Sequence, residues 1–455
     1  MEIFQDGELE AEMRRLDYNA NSLSSIWHLF ATSYEEAIKS LATPVRATYI
    51  ADDLGPKELV LSDDGVLMNP EDDAGSPCAA AAASASVSAA RHASLVQRED
   101  LELYNCRGEA LKCSFWRKTP PLNHRKTPPC IVYLHGISSS RKECVYIRDR
   151  VLSAGFSLFA LDLSGSGLSD GDRMSYGFFE KDDLRVVLDY LFATASASSV
   201  GIWGRCLGGA TALLHLRDSM DFSYKTISVP KTDAHRLLHI GMCKHTGRLM
   251  CVRPSRLFPF RMTQVSANNG DFVILSVGQK LVHGLSVEQC RRLIDECPDD
   301  VVRIAGYEHS QGVSGGVINP FIFGLALDST FGDMEQVISD MFMEVCKSAE
   351  KRNVSFPSAM ITAASKIISR SVRKSAGYSF KDIYVLDDLP QFQLPCIFTS
   401  TSKLDFIRPD HTRAIYERYG GEKTWISFEG GHDENRPEFI VDAVLSFLLS
   451  KWKQV

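Results

Sequence analysis

The stretch Val200-Gly201-Ile202-Trp203-Gly204-Arg205-Cys206-Leu207-Gly208-Gly209-Ala210-Thr211-Ala212-Leu213-Leu214 reads as a short apolar strand, a G-x-C-x-G turn and an Ala/Leu-rich helix. A strand can swing this sharply into a helix only where backbone meets backbone on both sides of the crest residue. Glycines two before and two after it, Gly204 and Gly208, leave that room. The crest residue, Cys206, is then held out at the end of the strand, placed as a nucleophile. G-x-C-x-G alone is a weak pattern; the flanking strand and helix supply the context it requires.

Upstream, the apolar run Cys130-Ile131-Val132-Tyr133-Leu134 leads into His135-Gly136-Ile137. A loop at this place can present the backbone N–H of Ile137, with that of Leu207, to an oxyanion developing beside Cys206. Only backbone is needed, and His135 is expected to be structural. Downstream, Asp405 follows the run Cys396 to Thr399, and His432 follows Thr424 to Phe428. Nucleophile, acid, histidine is the chain order that a strand-to-helix nucleophile turn leads one to seek. The candidate catalytic set is Cys206, Asp405 and His432. Asp405 could instead cap a helix ahead of Pro409, but Asp410 is better placed for that. Asp162 and Asp328 compete for the acid role, Asp328 the more seriously because it also ends a strand.

From Arg98 onward, short β-like runs alternate with helical ones, the pattern of a mostly parallel, doubly wound sheet. Leu101 to Asn105 and Leu111 to Trp116 form a hairpin, and further runs at 131–134, 157–161, 200–203, 323–327, 396–399 and 424–428 bring the expected sheet to eight strands. Helices are expected at 145–154, 181–195 and 438–451. Residues 1–62 read as an N-terminal extension packed on the domain, and 63–97 as a low-complexity loop whose Ala/Ser tract has no face to bury. The sheet domain takes residues 98–220 and 318–455. Between them, 221–317 is an irregular insert without βα rhythm, apart from an amphipathic helix from Ser286 to Asp295. It joins the helix after the turn to the next strand and so starts at the sheet edge opposite the carboxyl ends where such sheets bind ligands. It is a poor lid and a candidate protein-interaction region.

Hydrophobic residues at 44% and charged residues at 24% describe an ordinary globular chain, and no apolar run reaches the length of a membrane span, so no integral membrane segment is expected. A net charge of -7 supplies no basic footprint for nucleic acid. The acidic start, with Glu2 in second position, shows no secretory signal or myristoylation site, and a cytoplasmic location is expected. Of twelve scattered cysteines, most read as buried reduced thiols. His235 and His239 with Cys243, His245 and Cys251 match no zinc spacing, and neither metal nor organic cofactor is expected. Gly165-Ser166-Gly167-Leu168-Ser169 lacks the Gly-Lys-Ser/Thr end of a phosphate loop and is expected to shape a turn.

From about Pro44 to Lys451, leaving out the Ala/Ser tract and the insert, the chain resembles the α/β-hydrolase family grouped with serine aminopeptidase-like proteins. The resemblance rests on residues 103–108, Tyr133-Leu134-His135-Gly136, residues 162–171, the nucleophile elbow at 204–208, Leu327-Asp328-Ser329, Asp405-Phe406-Ile407-Arg408-Pro409 and His432. It implies position 206 as nucleophile, Asp405 as acid and His432 as base, acting on a small-molecule or acylated substrate. Two residues depart from the family pattern: Cys206 stands where serine is usual, and Ile137 where a polar residue is common. Dienelactone hydrolases, of the same fold, look like a precedent for a Cys/Asp/His set. His432, the amino end of the following helix and Arg205 are expected to lower the thiol's pKa. The competing expectation is a catalytically impaired pseudohydrolase serving as a binding or scaffold protein.

Overall fold

The structure, a computed structural model, describes residues 45–61, 67–68, 94–119, 127–219, 222–242, 249–252, 272–309, 321–350, 369–374, 376–403 and 407–454. Two short strands, β1 (Glu58–Leu61) and β2 (Leu67–Met68), precede the hairpin of β3 (Ser94–Tyr104) and β4 (Ala110–Lys118). The first βα units follow: β5 (Cys130–Leu134), α1 (Val145–Ser153), β6 (Ser157–Leu161), α2 (Glu180–Ala193), β7 (Val200–Arg205) and α3 (Leu207–Ser219). The insert contributes β8 (Phe222–Pro230), α4 (Lys231–Leu237), β9 (His239–Met242), β10 (Leu249–Val252), β11 (Phe272–Val277), β12 (Lys280–Leu281), α5 (Val287–Asp295) and β13 (Val301–His309). The chain then returns with β14 (Ile322–Asp328), α6 (Met334–Glu350), β15 (Cys396–Thr401), α7 (Pro409–Arg418), β16 (Lys423–Phe428) and α8 (Glu438–Trp452).

The main sheet runs β16-β15-β14-β7-β5-β6-β4-β3-β1-β2. Its centre is parallel and buried on both faces: β5, β6, β7 and β14 carry no exposed residue, which is why they read as unbroken apolar runs. Apolar faces of α1 and α8 (Ile147, Val151, Val444, Leu448) cover one side, and α2 and α3 (Leu184, Leu188, Leu213) cover the other. Among the described residues the expectation of eight strands is corrected to ten. Of the two added strands, β1 comes from the N-terminal extension and pairs antiparallel with β3, whereas β2 and the first residues of β3 come from the stretch 63–97 expected to be a loop, a reading corrected at Leu67–Met68 and at residues 94–97. Farther back along the same extension, Tyr49 donates to Asp162 at 2.7 Å and Arg46 to the Ser169 carbonyl at 2.7 Å. Residues 69–93, with the Ala/Ser tract, lie outside the described residues.

The reading of 221–317 as irregular is also corrected. Its described strands form a second, antiparallel sheet in the order β8-β13-β11-β10-β9, with β12 paired to β11. This sheet has its own core of Val229, Ile274, Val302, Ile304, Cys290 and Ile294. Helix α5 begins where the sequence places it: Ser286 accepts from the Gln289 N–H and Gln289 reaches back to the Ser286 N–H, a capping box. The insert docks on the C-terminal half of α2. Tyr224 donates to Asp189 at 2.6 Å, Ser276 to the Ala193 carbonyl at 2.9 Å, and the Arg185 guanidinium lies 4.7 Å from the centre of the Tyr307 ring. That end of α2 feeds the start of β7, so the insert sits across the sheet from Cys206. No described helix is long and apolar enough to cross a membrane.

Candidate active site

Strand β7 ends at Arg205 and α3 begins at Leu207, leaving Cys206 alone at the crest with φ +51°, a left-handed conformation costly for a residue with a side chain. The surroundings hold it there. The Cys206 N–H donates to the Asp328 carbonyl at 2.8 Å, and its carbonyl accepts from the Thr330 hydroxyl at 2.8 Å. The two glycines of the motif have distinct physical reasons. A Cβ on Gly208 would stand 2.2 Å from the Leu134 carbonyl oxygen, and one on Gly204 would stand 2.5 Å from the Gly208 carbonyl oxygen. The elbow is thus pressed against β5 and against its own helix. Ser138 and Ser329, in the loops leaving β5 and β14, also have positive φ, so backbone strain gathers at the carboxyl edge of the sheet.

The backbone N–H groups of Ile137 and Leu207 both favour the charged form of the Cys206 thiol, and Gly136 packs so close that a Cβ there would lie 3.7 Å from the Cys206 Cβ. The ring of His135 turns away from the chemistry. Its Nε2 accepts from the Leu163 N–H at 3.1 Å, which leaves Nδ1–H to donate to the Gly136 carbonyl at 2.8 Å, steadying this loop. Asp162, a rival for the acid role, is consumed by Tyr49, the Arg141 N–H and the Leu168 N–H. It shapes the 165–169 turn, where a Cβ on Gly167 would strike the Asp162 carboxylate at 2.4 Å.

The thiol is in a different state from the one expected from its neighbours. Cys206 is 1% exposed, and burial pushes its pKa up to about 12, against the pull of the Ile137 and Leu207 N–H groups and of Arg205. The expectation of a lowered pKa is therefore corrected: the apolar packing outweighs the dipoles and the nearby cation. His432 is 6% exposed, and burial together with the Arg436 cation holds its pKa below the usual value, partly offset by Asp433 and Asp328. At neutral pH the Cys206 thiol is protonated and the His432 imidazole neutral. The His432 Nδ1 finds no hydrogen-bond partner among the described residues. Asp405 lies outside the described residues.

Asp328, the stronger rival acid, is taken up by other groups. Its Oδ2 accepts from Arg436 Nε at 2.6 Å and its Oδ1 from the Ser329 hydroxyl at 3.0 Å. Burial opposes its ionisation, but Arg436 and Arg205 overcome this and hold its pKa below the usual carboxylate range. Arg436 continues to the Gly431 and Glu434 carbonyls at 3.0 and 2.9 Å, fastening the loop that carries His432. A parallel fastening runs from the elbow. Arg205 donates to the His432 carbonyl, to the Glu434 carbonyl at 3.0 Å, and pairs with Glu143 at 3.4 Å. Glu143 in turn accepts from the Tyr133 hydroxyl at 2.7 Å and the Gly136 N–H at 3.3 Å. Glu143 and Arg436 were missed from sequence, and Arg205 was read only as a nearby charge. A charged residue inside an apolar strand end is a signal for a buried pair, although it does not name the partner.

Of the possible metal group, His235 meets Asp295 at 2.6 Å, Cys243 and His245 lie outside the described residues, and no cluster of His, Cys, Asp or Glu among the described residues could hold a metal ion.

The order of β3, β4, β6, β5, β7, β14, β15 and β16 across the sheet, with a strained residue at the crest between β7 and α3, decides the architecture. The fold is that of the α/β hydrolases. The family model described as serine aminopeptidase, S33, matches residues 125–239, the segment from β5 through the elbow into the insert. An uncharacterized protein of Bacillus subtilis (strain 168), YqkD, is 35% identical over 101 residues, which is 21% of this chain. The match spans about a third of that relative's length, 33%. Among solved structures, the chain is similar to the Pyrococcus furiosus esterase Pf2001 (12% identity, 78% of this chain and 93% of that one, TM-score 0.41). It is also similar to an acetyl xylan esterase from Paenibacillus sp. R4 (11%, 78% and 84%, TM-score 0.43) and to mouse alpha/beta hydrolase domain-containing protein 10 (12%, 78% and 99%, TM-score 0.41).

Proposed function

We propose that this α/β-hydrolase-fold protein hydrolyses ester, thioester or related acyl bonds through Cys206. The observation that carries the reading is a cysteine held at φ +51° at the crest between β7 and α3, its charged form favoured by the backbone N–H groups of Ile137 and Leu207. Such donors are worth most where charge develops in a dry, preformed site. With the thiol protonated and the imidazole neutral, the step follows general-base catalysis rather than attack by a standing thiolate. As Cys206 Sγ bonds to the acyl carbon, its proton passes to His432 and the carbonyl electrons move onto oxygen, facing the two N–H groups. Collapse expels the leaving group, which takes the proton from His432, and leaves an acyl-thioester. Water, giving its proton to the same ring, releases the acid and restores the thiol. Asp405 is assigned as the acid that orients His432, because Asp328 is committed to Arg436 and Ser329. The proposed substrate is a small or acylated molecule, and no cofactor takes part in the step.

Purified protein run on short-chain aryl esters and thioesters beside Cys206→Ala and Cys206→Ser tests the reading. Turnover lost in Cys206→Ala is expected. Activity untouched by Cys206→Ala overturns the mechanism, and absence of turnover on every acyl substrate favours a binding or scaffold protein.

A further inference from the structure

We propose that Arg205 is a positioning residue that fixes the oxyanion loop and the histidine loop relative to each other, acting through the Glu143 carboxylate. Its kinetic consequences rest on the acyl-hydrolase reading above. Arg205 precedes the nucleophile directly, so its backbone moves with Cys206. One arm of its guanidinium pairs with Glu143, whose other oxygen holds the Gly136 N–H one residue before the Ile137 donor. The other arm donates to the main-chain carbonyls of His432 and Glu434. One planar cation therefore touches the fastenings of nucleophile, oxyanion donor and base. Arg436 secures the histidine loop from Asp328, and its hydrogen bonds among the described residues go to Asp328, Gly431 and Glu434 rather than to the oxyanion loop.

Energetics favour a geometric role over a purely stabilising one. The side chains of Arg205 and Glu143 are 4% and 11% exposed. Burial opposes ionisation of Glu143, yet Arg205 and the Ser139 hydroxyl hold its pKa below the usual range, so the pair is charged. Buried ion pairs of this kind are often replaceable by apolar residues without loss of stability, whereas removing one partner strands the other charge. What an apolar pair cannot supply is a forked donor set linking two loops whose reactive groups must hold their places to a fraction of an ångström.

The experiment compares Arg205→Lys, Arg205→Met, Glu143→Gln and the double variant Glu143→Gln/Arg205→Met in the full-length chain. Arg205→Met is expected to lower kcat by about 100-fold, with KM little changed. It is also expected to lower Tm, because Glu143 is left alone. The double variant is expected to regain Tm without regaining kcat, and Arg205→Lys, which keeps the charge but loses the fork, to recover only part of kcat. Recovery of both Tm and kcat in the double variant, or losses that simply multiply, would overturn the proposal.

A second readout needs no turnover: the imidazole resonances of His432 followed by NMR across pH. Glu143→Gln is expected to shift them through Arg205, since among the described residues Glu143 reaches the histidine loop by way of that guanidinium, and to have no further effect in the Arg205→Met background. His432 resonances unmoved by Glu143→Gln would overturn the coupling, whether or not the wild type hydrolyses any substrate.

Discussion

The two sheets of this molecule contrast in how their sequences encode them. In the parallel sheet the decisive motif is local, Gly204 meeting Gly208 within a single strand-turn-helix that then presses on Leu134 of the neighbouring β5. In the antiparallel sheet of the insert they are remote, since β8 pairs residue for residue with β13 across the whole of the intervening insert. The first sheet holds the strained carboxyl edge that carries the candidate chemistry; the second packs against the far half of α2 through an aromatic group of Phe192, Tyr224 and Phe321. The contrast implies that damage to the first should appear in activity and damage to the second in stability alone.

The largest effect is expected at the crest. Cys206→Ala should lower kcat/KM by on the order of 10³-fold or more, while circular dichroism and Tm stay near wild type, because the removed sulfur fills little space. Gly208→Ala is the next test. Its added methyl would sit 2.2 Å from the Leu134 carbonyl oxygen, so the elbow must yield, at a cost on the order of 3 kcal/mol in denaturant unfolding and with loss of activity. Tyr224→Ala removes a buried ring from the insert's docking face and should cost about 3 to 5 kcal/mol, with kcat unchanged. A fall in kcat matching that of Gly208→Ala would break the division between the two sheets.

Smaller effects concern ionisation. His432 accepts a proton only when neutral, and its pKa lies below the usual 6.5, so the acid limb of kcat/KM should fall at a pH below that of an ordinary histidine. The sign is fixed by the cause: the buried ring resists protonation, so activity survives further into acid. No second limb is expected between neutrality and pH 9, because the Cys206 thiol, at about 12, does not titrate there. A bell centred near neutrality would point instead to a thiolate–imidazolium pair. The smallest expected effect is in alkylation. Iodoacetamide at pH 7 should label the exposed Cys106 before the buried Cys206, and the reverse order would contradict the burial of the thiol.

Much of the architecture was legible because parallel strands buried on both faces are continuous apolar runs, as at Cys130–Leu134, and because the elbow compresses its steric demands into five residues. The insert was not, since pairs such as β8 with β13 lack the short Gly or Asn turn that announces a hairpin; the tight β11–β12 turn at Gly278 marks only a two-residue strand. At the site, Ile137 and Leu207 could be named because backbone position alone qualifies them, and their N–H groups pull the thiol's pKa down against burial. Ion pairs such as Arg436 with Asp328 and Arg205 with Glu143 join residues far apart in sequence, for which no spacing rule exists. The thiol's pKa was misread for a related reason: sequence displays the neighbouring dipoles and charge but not the depth of burial that outweighs them.

The central claim, that Cys206 receives the acyl group, is tested most directly by acid-quenching the wild-type protein during turnover of an activated ester and mapping the adduct by peptide mass spectrometry. An acyl group on the peptide containing Cys206, formed and lost at rates compatible with turnover, is the expected result. Steady hydrolysis with the acyl group on a different residue, or with none on Cys206 under conditions that trap thioesters, would contradict it.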